Sequence, residues 1–214
     1  MPARNYSLVL VTDRALAQGR PTADIVRAAV AGGVTCVQLR EKDCGTREFL
    51  AEARKLLAIL RPLGVPLIIN DRVDVALAAG ADGVHLGQQD LPLAEVRRLA
   101  PAGWIVGVSA ESVEDAIHAV QGGADYIGAS PVFATPTKAD HAPPLGLDGL
   151  RRIRAAVKLP LVAIGGIHAG NARDVVRAGA DGLAVVSAIV AADRPRAAAA
   201  DLRREIEAAK GEKT

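Results

Sequence analysis

The chain of 214 residues is 50% hydrophobic, with 26 basic and 24 acidic residues and a formal net charge of +2. That length and apolar content suit one large buried core, or at most two small ones. Aromatic residues make up only 2% and no basic block occurs, which argues against nucleic-acid binding through stacked bases and a dense positive surface.

The chain starts MPARNYS, without the apolar core of a secretion signal, so a cytoplasmic location is expected. The first strand-like run is YSLVLVTD (6–13). After a helical stretch, CVQLRE (36–41) is the second. Gln38, Arg40 and Lys42 stand there at i, i+2 and i+4, so an extended chain puts all three on one face. Cys36 and Cys44 are the only cysteines. Extended spacing keeps them too far apart for a bridge, and they do not make a zinc site, so free thiols in a reducing compartment are expected. The helical run GTREFLAEARKLLAIL leads to PLIIND (66–71), and a short helix leads on to GVHLG (83–87). WIVGVSA (104–110) is next, followed by SVEDAIHAVQ, in which Ser112 and Asp115 have capping-box spacing. DYIGAS (125–130), PLVAIGG (160–166) and GLAVVSA (182–188) complete the series. The longest apolar run, GLAVVSAIVAA, is too short to span a bilayer.

AGGVTCV (31–37), AAGADGV (78–84), QGGADYI (121–127) and RAGADGL (177–183) are variants of one phrase. In each, a helix ends on Gly, a short turn follows and a buried strand begins. The phrase precedes every second strand, so the chain reads as four copies of a two-strand, two-helix unit. Eight parallel strands with helices between them most simply close into a single-domain (β/α)8 TIM barrel over 1–214, with loose tails at about 1–5 and 208–214. An open doubly wound sheet is the alternative.

In such a barrel, polar residues at the C-terminal strand ends are the candidates for chemistry. Gln38, Arg40 and Lys42 would line the mouth. Small residues at alternate positions, Gly107, Gly128, Ala163 and Gly165, would leave room for a ligand. Asn70, Asp71 and Asp90 also fall at or just past strand ends. The two aspartates have two readings: a shared magnesium site, or caps on the helices that follow. Arg40 at the mouth is hard to explain as structure, since a buried unpaired guanidinium is costly and Glu41 faces the other way. SPVFATPTKADHAPPLGL (130–147), which contains Lys138, is the longest irregular connection; Val132 and Phe133 favour an ordered, closing loop. Backbone N–H groups of Gly166 and Ser187, after the last two strands, are placed to meet an anion. Of the four histidines, His85 has inward parity, His118 lies in a helical run, and His141 and His168 fall in loops; none is assigned a catalytic role.

The motifs QLREKD, IINDRVDVALAAGADGVHLGQQD, GVSAES, ATPTK, LGLDGL and AIGGI…NA…AGADGLAVVSAI closely resemble those of the thiamine phosphate synthase family, in order, from about residue 6 to 190. The resemblance implies a (β/α)8 transferase. Such an enzyme joins hydroxymethylpyrimidine pyrophosphate to hydroxyethylthiazole phosphate and releases pyrophosphate, with Mg²⁺ as cofactor. By motif, Gln38 would contact the pyrimidine, while Arg40, Lys42, Asn70, Ser109 and Lys138 would grip the pyrophosphate. Of these, Arg40, Lys42, Ser109 and Lys138 would carry the catalysis. Asp71 and Asp90 match the magnesium ligands. Thr135, Thr137, Gly166, Val186 and Ser187 match contacts to the thiazole phosphate. The implied reaction is dissociative: a carbon–oxygen bond breaks, the aminopyrimidine stabilises the resulting cation, and the thiazole nitrogen attacks it. No protein nucleophile is then needed, and no Ser/His/Asp arrangement stands out. The expected partners are the two small-molecule substrates, with room for a homo-oligomer, and neither nucleic acid nor membrane.

Two rival readings use the same barrel. A thiazole tautomerase, an isomerase, resembles this family but carries a histidine just before the VF of the sixth-strand loop, where this chain has Pro131. A non-catalytic phosphate sensor would have no need of Arg40, Asp71, Asp90 and Lys138 together. One departure from the family pattern is Ala129-Ser130, where glycine-aromatic-glycine is more usual across 128–130.

Overall fold

The computed structural model describes residues 4–135 and 143–212. Its strands are β1 (Leu8–Val11), β2 (Cys36–Leu39), β3 (Leu67–Asn70), β4 (Gly83–Leu86), β5 (Ile105–Ala110), β6 (Tyr126–Ala129), β7 (Leu161–Ile164) and β8 (Gly182–Val185). All pair in parallel with their sequence neighbours, and β1 pairs with β8 in the register Val9↔Ala184, which closes the barrel and rules out the open sheet. Among the described residues the α-helices are α1 (Thr22–Ala31), α2 (Thr46–Leu60), α3 (Val73–Ala79), α4 (Leu93–Leu99), α5 (Val113–Gln121), α6 (Gly146–Ala156), α7 (Ala169–Arg177), α8 (Ser187–Val190) and α9 (Pro195–Gly211). None is long and apolar enough to cross a membrane.

Strand alternation divides the core in two. Leu8, Leu10, Val37, Leu39, Leu67 and Ile69 face outward and pack with the helices. Val9, Val11, Cys36, Ile68, Ile105, Tyr126, Val162 and Ala184 fill the barrel. Cys36 is therefore a buried barrel residue, and both cysteines are free thiols.

This partition corrects the expectation about small inward residues. Ala163 belongs to the outer layer, and Val162 and Ile164 are the residues of β7 that face in. Gly165 lies beyond β7 at φ 106°, so it has left the extended path on which strand parity is counted. Gly107 does face inward, but a Cβ there would come within 2.1 Å of the Tyr126 ring, and one on Gly128 would come within 2.9 Å of His85. Protein rings stand against Gly107 and Gly128, while Gly128 and Gly165 still line the open cleft at the mouth.

The repeated phrase has a structural reason at the base of the barrel. The residue just before each even-numbered strand accepts a hydrogen bond from the backbone at the start of the preceding odd strand. Leu8 N–H donates to Thr35 Oγ1 (3.1 Å). Leu67 N–H donates to Asp82, Val106 N–H to Asp125 and Leu161 N–H to Asp181, each at 2.8 Å. Asp125 is also ion-paired with Arg4 at 3.0 Å and Arg97 at 2.7 Å, so the chain is anchored from Arg4 onward.

Capping holds where spacing predicts it: Ser112 Oγ accepts from Asp115 N–H (3.0 Å). The C-terminal tail expectation is corrected. Helix α9 packs against α1 and α7 and runs through Gly211, with Ala209 buried. Lys210 Nζ lies 2.9 Å from Ser7 Oγ, which ties the end of that helix to the residue before β1.

Candidate active site

A cleft of about 600 Å³ opens at the C-terminal ends of the strands. Every expected site residue among the described ones lines it. Gln38, Arg40 and Lys42 come from β2 and its loop, Asn70 and Asp71 from the end of β3, and Asp90 from the loop after β4. Ser109 lies on β5 and Thr135 after β6, while Gly166, Val186 and Ser187 follow β7 and β8. Thr137 and Lys138 lie outside the described residues.

The strands are shorter than the apolar runs suggest. Strand β2 ends at Leu39, so Arg40 and Lys42 stand on the chain as it turns over the mouth. Arg40 is not an uncompensated charge, which corrects the reading from sequence. Its Nη1 lies 3.3 Å from Asp13 Oδ2, and its backbone N–H donates to Thr12 Oγ1 at 3.0 Å. The end of β1 thus holds the arginine at the mouth. Glu41 pairs instead with Arg14 at 3.2 Å. Burial raises its carboxyl above the usual range, with Arg14 opposing the shift.

The two aspartates do not cap helices. Helix α3 starts after Arg72 and α4 after Pro92, and neither has a side-chain cap. Asp71 has a left-handed backbone, φ 63°, unusual for a residue with a Cβ, and its carboxylate accepts from Lys42 Nζ at 2.9 Å. Asp90 Oδ2 accepts from Gly87 N–H at 2.6 Å. Burial raises the Asp90 carboxyl above its ordinary range; the Gly87 N–H opposes this, and the neighbouring Asp71 carboxyl adds to it. The pair is two acids held close in the cleft, with a lysine on one side. Among the described residues no group of three or more His, Cys, Asp or Glu side chains could hold a metal. Any cation here would complete its shell from water and ligand.

Beneath these charges lies a buried polar chain that sequence reasoning did not find. His85 Nδ1 lies 2.8 Å from the Tyr126 hydroxyl, and its Nε2 lies 2.9 Å from Ser109 Oγ. Tyr126 is buried, and burial raises its phenol well above the usual range. The inward parity of His85 was the available signal. Tyr126 gave none, because an aromatic in an apolar run reads as core.

Across the mouth, Gly165 and Gly166 both have positive φ, 106° and 64°. The loop after β6 runs close by: Phe133 N–H donates to Gly165 O (3.1 Å), and a Cβ on Gly166 would come within 2.9 Å of Ala134 O. Asn171 Nδ2 donates to Gly166 O at 2.9 Å, which holds this turn from α7. Ser187 opens α8 beside it. Arg20 donates to the carbonyls of Val190 and, at 2.7 Å, Ala192, pinning the far end of that short helix.

A closed barrel whose strand C-termini gather cations, a carboxylate pair and glycine-lined turns around one cleft has the architecture of a (β/α)8 enzyme acting on an anionic ligand. The family model for thiamine monophosphate synthase matches residues 8–189, and the chain belongs to that family. It is 60% identical over 201 residues to the thiamine-phosphate synthase of Albidiferax ferrireducens, covering 94% of this chain and 92% of that protein. It is 56% identical over 199 residues to the thiamine-phosphate synthase of Chloroflexus aurantiacus, covering 93% and 92%. A solved structure, thiamine phosphate pyrophosphorylase from Pyrococcus furiosus, superposes with a TM-score of 0.88 at 42% identity, covering 96% of this chain and 98% of that one.

Proposed function

We propose that this chain is a transferase that condenses hydroxymethylpyrimidine pyrophosphate with hydroxyethylthiazole phosphate, giving thiamine phosphate and pyrophosphate. The observation that carries this is the convergence of Arg40, Lys42, Asn70, Asp71, Asp90 and Ser109 on one cleft, in a chain 60% identical to a protein of that name. Two free thiols accord with a reducing, cytoplasmic setting.

The chemistry asks the protein to accept charge. When the carbon–oxygen bond breaks, the pyrimidine methylene becomes cationic and the departing pyrophosphate gains negative charge. Arg40, oriented by Asp13, and Lys42, beside Asp71, supply fixed positive charge where that develops. Asn70 and Ser109 add neutral donors, and Lys138 of the ATPTK motif adds a cation. Gln38, only 7% exposed, faces the pyrimidine. Thr135, Thr137, Gly166, Val186 and Ser187 hold the phosphate of the thiazole. Holding it there makes the attack by the ring nitrogen effectively intramolecular. No residue is required as nucleophile or strong base.

Asp71 and Asp90 fit a magnesium ion. They are adjacent carboxylates that cap nothing, and Asp90 is half-buried at a cost that a bound cation would offset. Bound there, Mg²⁺ would neutralise the leaving pyrophosphate.

The test is pyrophosphate release with each substrate alone and with both, with and without Mg²⁺. Release that needs both substrates and the metal is expected. Absence of turnover with everything present would refute the assignment.

A further inference from the structure

We propose that Tyr126, His85 and Ser109 form a directed hydrogen-bond chain, in which His85 carries its hydrogen on Nε2 and turns the Ser109 hydroxyl toward the cleft. His85 is thereby a positioning residue. The inference rests on the reading that Ser109 meets the leaving pyrophosphate.

The direction follows from counting donors. An anion in the cleft needs the Ser109 hydrogen, so Ser109 Oγ must accept from below. Its partner at 2.9 Å is His85 Nε2, which therefore carries the hydrogen. In a neutral imidazole Nδ1 is then an acceptor, and the Tyr126 hydroxyl, 2.8 Å away, donates to it. Burial keeps the phenol protonated, so it can serve as that donor. The opposite direction would commit the Ser109 hydrogen to Nε2 and offer an anion only lone pairs.

The geometry holds the rings in place. The Tyr126 ring occupies the space Gly107 leaves, its centroid 5.4 Å from that of His85. The edge of His85 sits over Gly128, where a Cβ would come within 2.9 Å of Cε1. A swing of His85 toward the cleft floor is blocked on both sides, so the imidazole transmits orientation from Tyr126 to Ser109.

The experiment compares His85→Gln with His85→Asn in the full chain. A glutamine amide reaches the Nε2 position and can donate to Ser109. An asparagine amide reaches only the Nδ1 position and can meet Tyr126 alone. We expect the asparagine variant to lose roughly tenfold to a hundredfold in kcat, as for a misdirected donor at a developing charge, with KM for the pyrimidine pyrophosphate changed less than about threefold. The glutamine variant should recover to within about fivefold of wild type. Nitrogen NMR of histidine-labelled, substrate-free protein, assigned with the variants, should find His85 protonated at Nε2 and bare at Nδ1. Equal kcat in the two variants, or hydrogen on Nδ1 in the wild type, overturns the proposal. The NMR arm needs no turnover, so it stands apart from failure of the synthase reading, whose sign is a wild-type chain that releases no pyrophosphate.

Discussion

Asp90 shows how stability and chemistry oppose each other at a single residue. Its carboxyl is raised by burial first and by Asp71 beside it, so ionising it costs more in the folded chain than in the unfolded one. A group raised on folding contributes stability at pH below its unfolded value, and that contribution is lost as pH rises through the folded value. Wherever Asp90 is ionised, it therefore weakens the fold. Asp90→Asn should raise Tm in metal-free buffer at pH 7 while abolishing Mg²⁺-dependent turnover, as read by thermal melts and pyrophosphate release on the same sample. Added Mg²⁺ should raise the Tm of the wild type and not of this variant. Asp71→Ala should also lose activity, by more than roughly a hundredfold, with an unchanged far-UV spectrum. Across the mouth, Ser187→Asp puts a negative charge at the start of α8, and titration should find thiazole phosphate affinity reduced by at least about tenfold. At this scale the sequence was partly legible. Period-two spacing was enough to bring Gln38 and Arg40 to the mouth. Asp13 was invisible as the partner of Arg40, because it follows β1, 27 residues away in sequence, and becomes a neighbour only when β1 and β2 pair. The capping reading of Asp71 was reasonable from position, but the left-handed backbone at that residue turns its carboxylate to Lys42.

The elements owe their arrangement to a division between the base and the mouth. At the base, Thr35, Asp82, Asp125 and Asp181 each tie an even strand to the strand before it. The repeat was plain in the sequence, and so was the alternation of strand and helix. The reason for its acidic residue was not, since the partner N–H becomes a neighbour only when the strands pair. Asp82→Ala leaves the Leu67 N–H without its side-chain acceptor. It should lower unfolding free energy by about 1–3 kcal/mol in urea melts, with kcat per folded molecule unchanged. The parity error at Ala163 has a similar origin. Alternation holds only while the backbone stays extended, and the glycines after β7 leave that path.

At the scale of the whole molecule, closure was legible because eight similar segments leave no natural edge. The pairing of β1 with β8 gives the ring the same parallel pattern all the way round. Rigidity at the base frees the mouth to carry irregular, strained and charged residues. The contact between Lys210 and Ser7 has one further consequence. The backbone near Ser7 and that near Lys210 are close enough to be joined by a short peptide, and a new opening could be cut in a lower turn, for instance between α4 and β5. Such a circular permutant should regain the parent's circular dichroism spectrum and its activity. What defines this enzyme is then the cyclic order of its segments, with translation free to begin at any of several points around the circle.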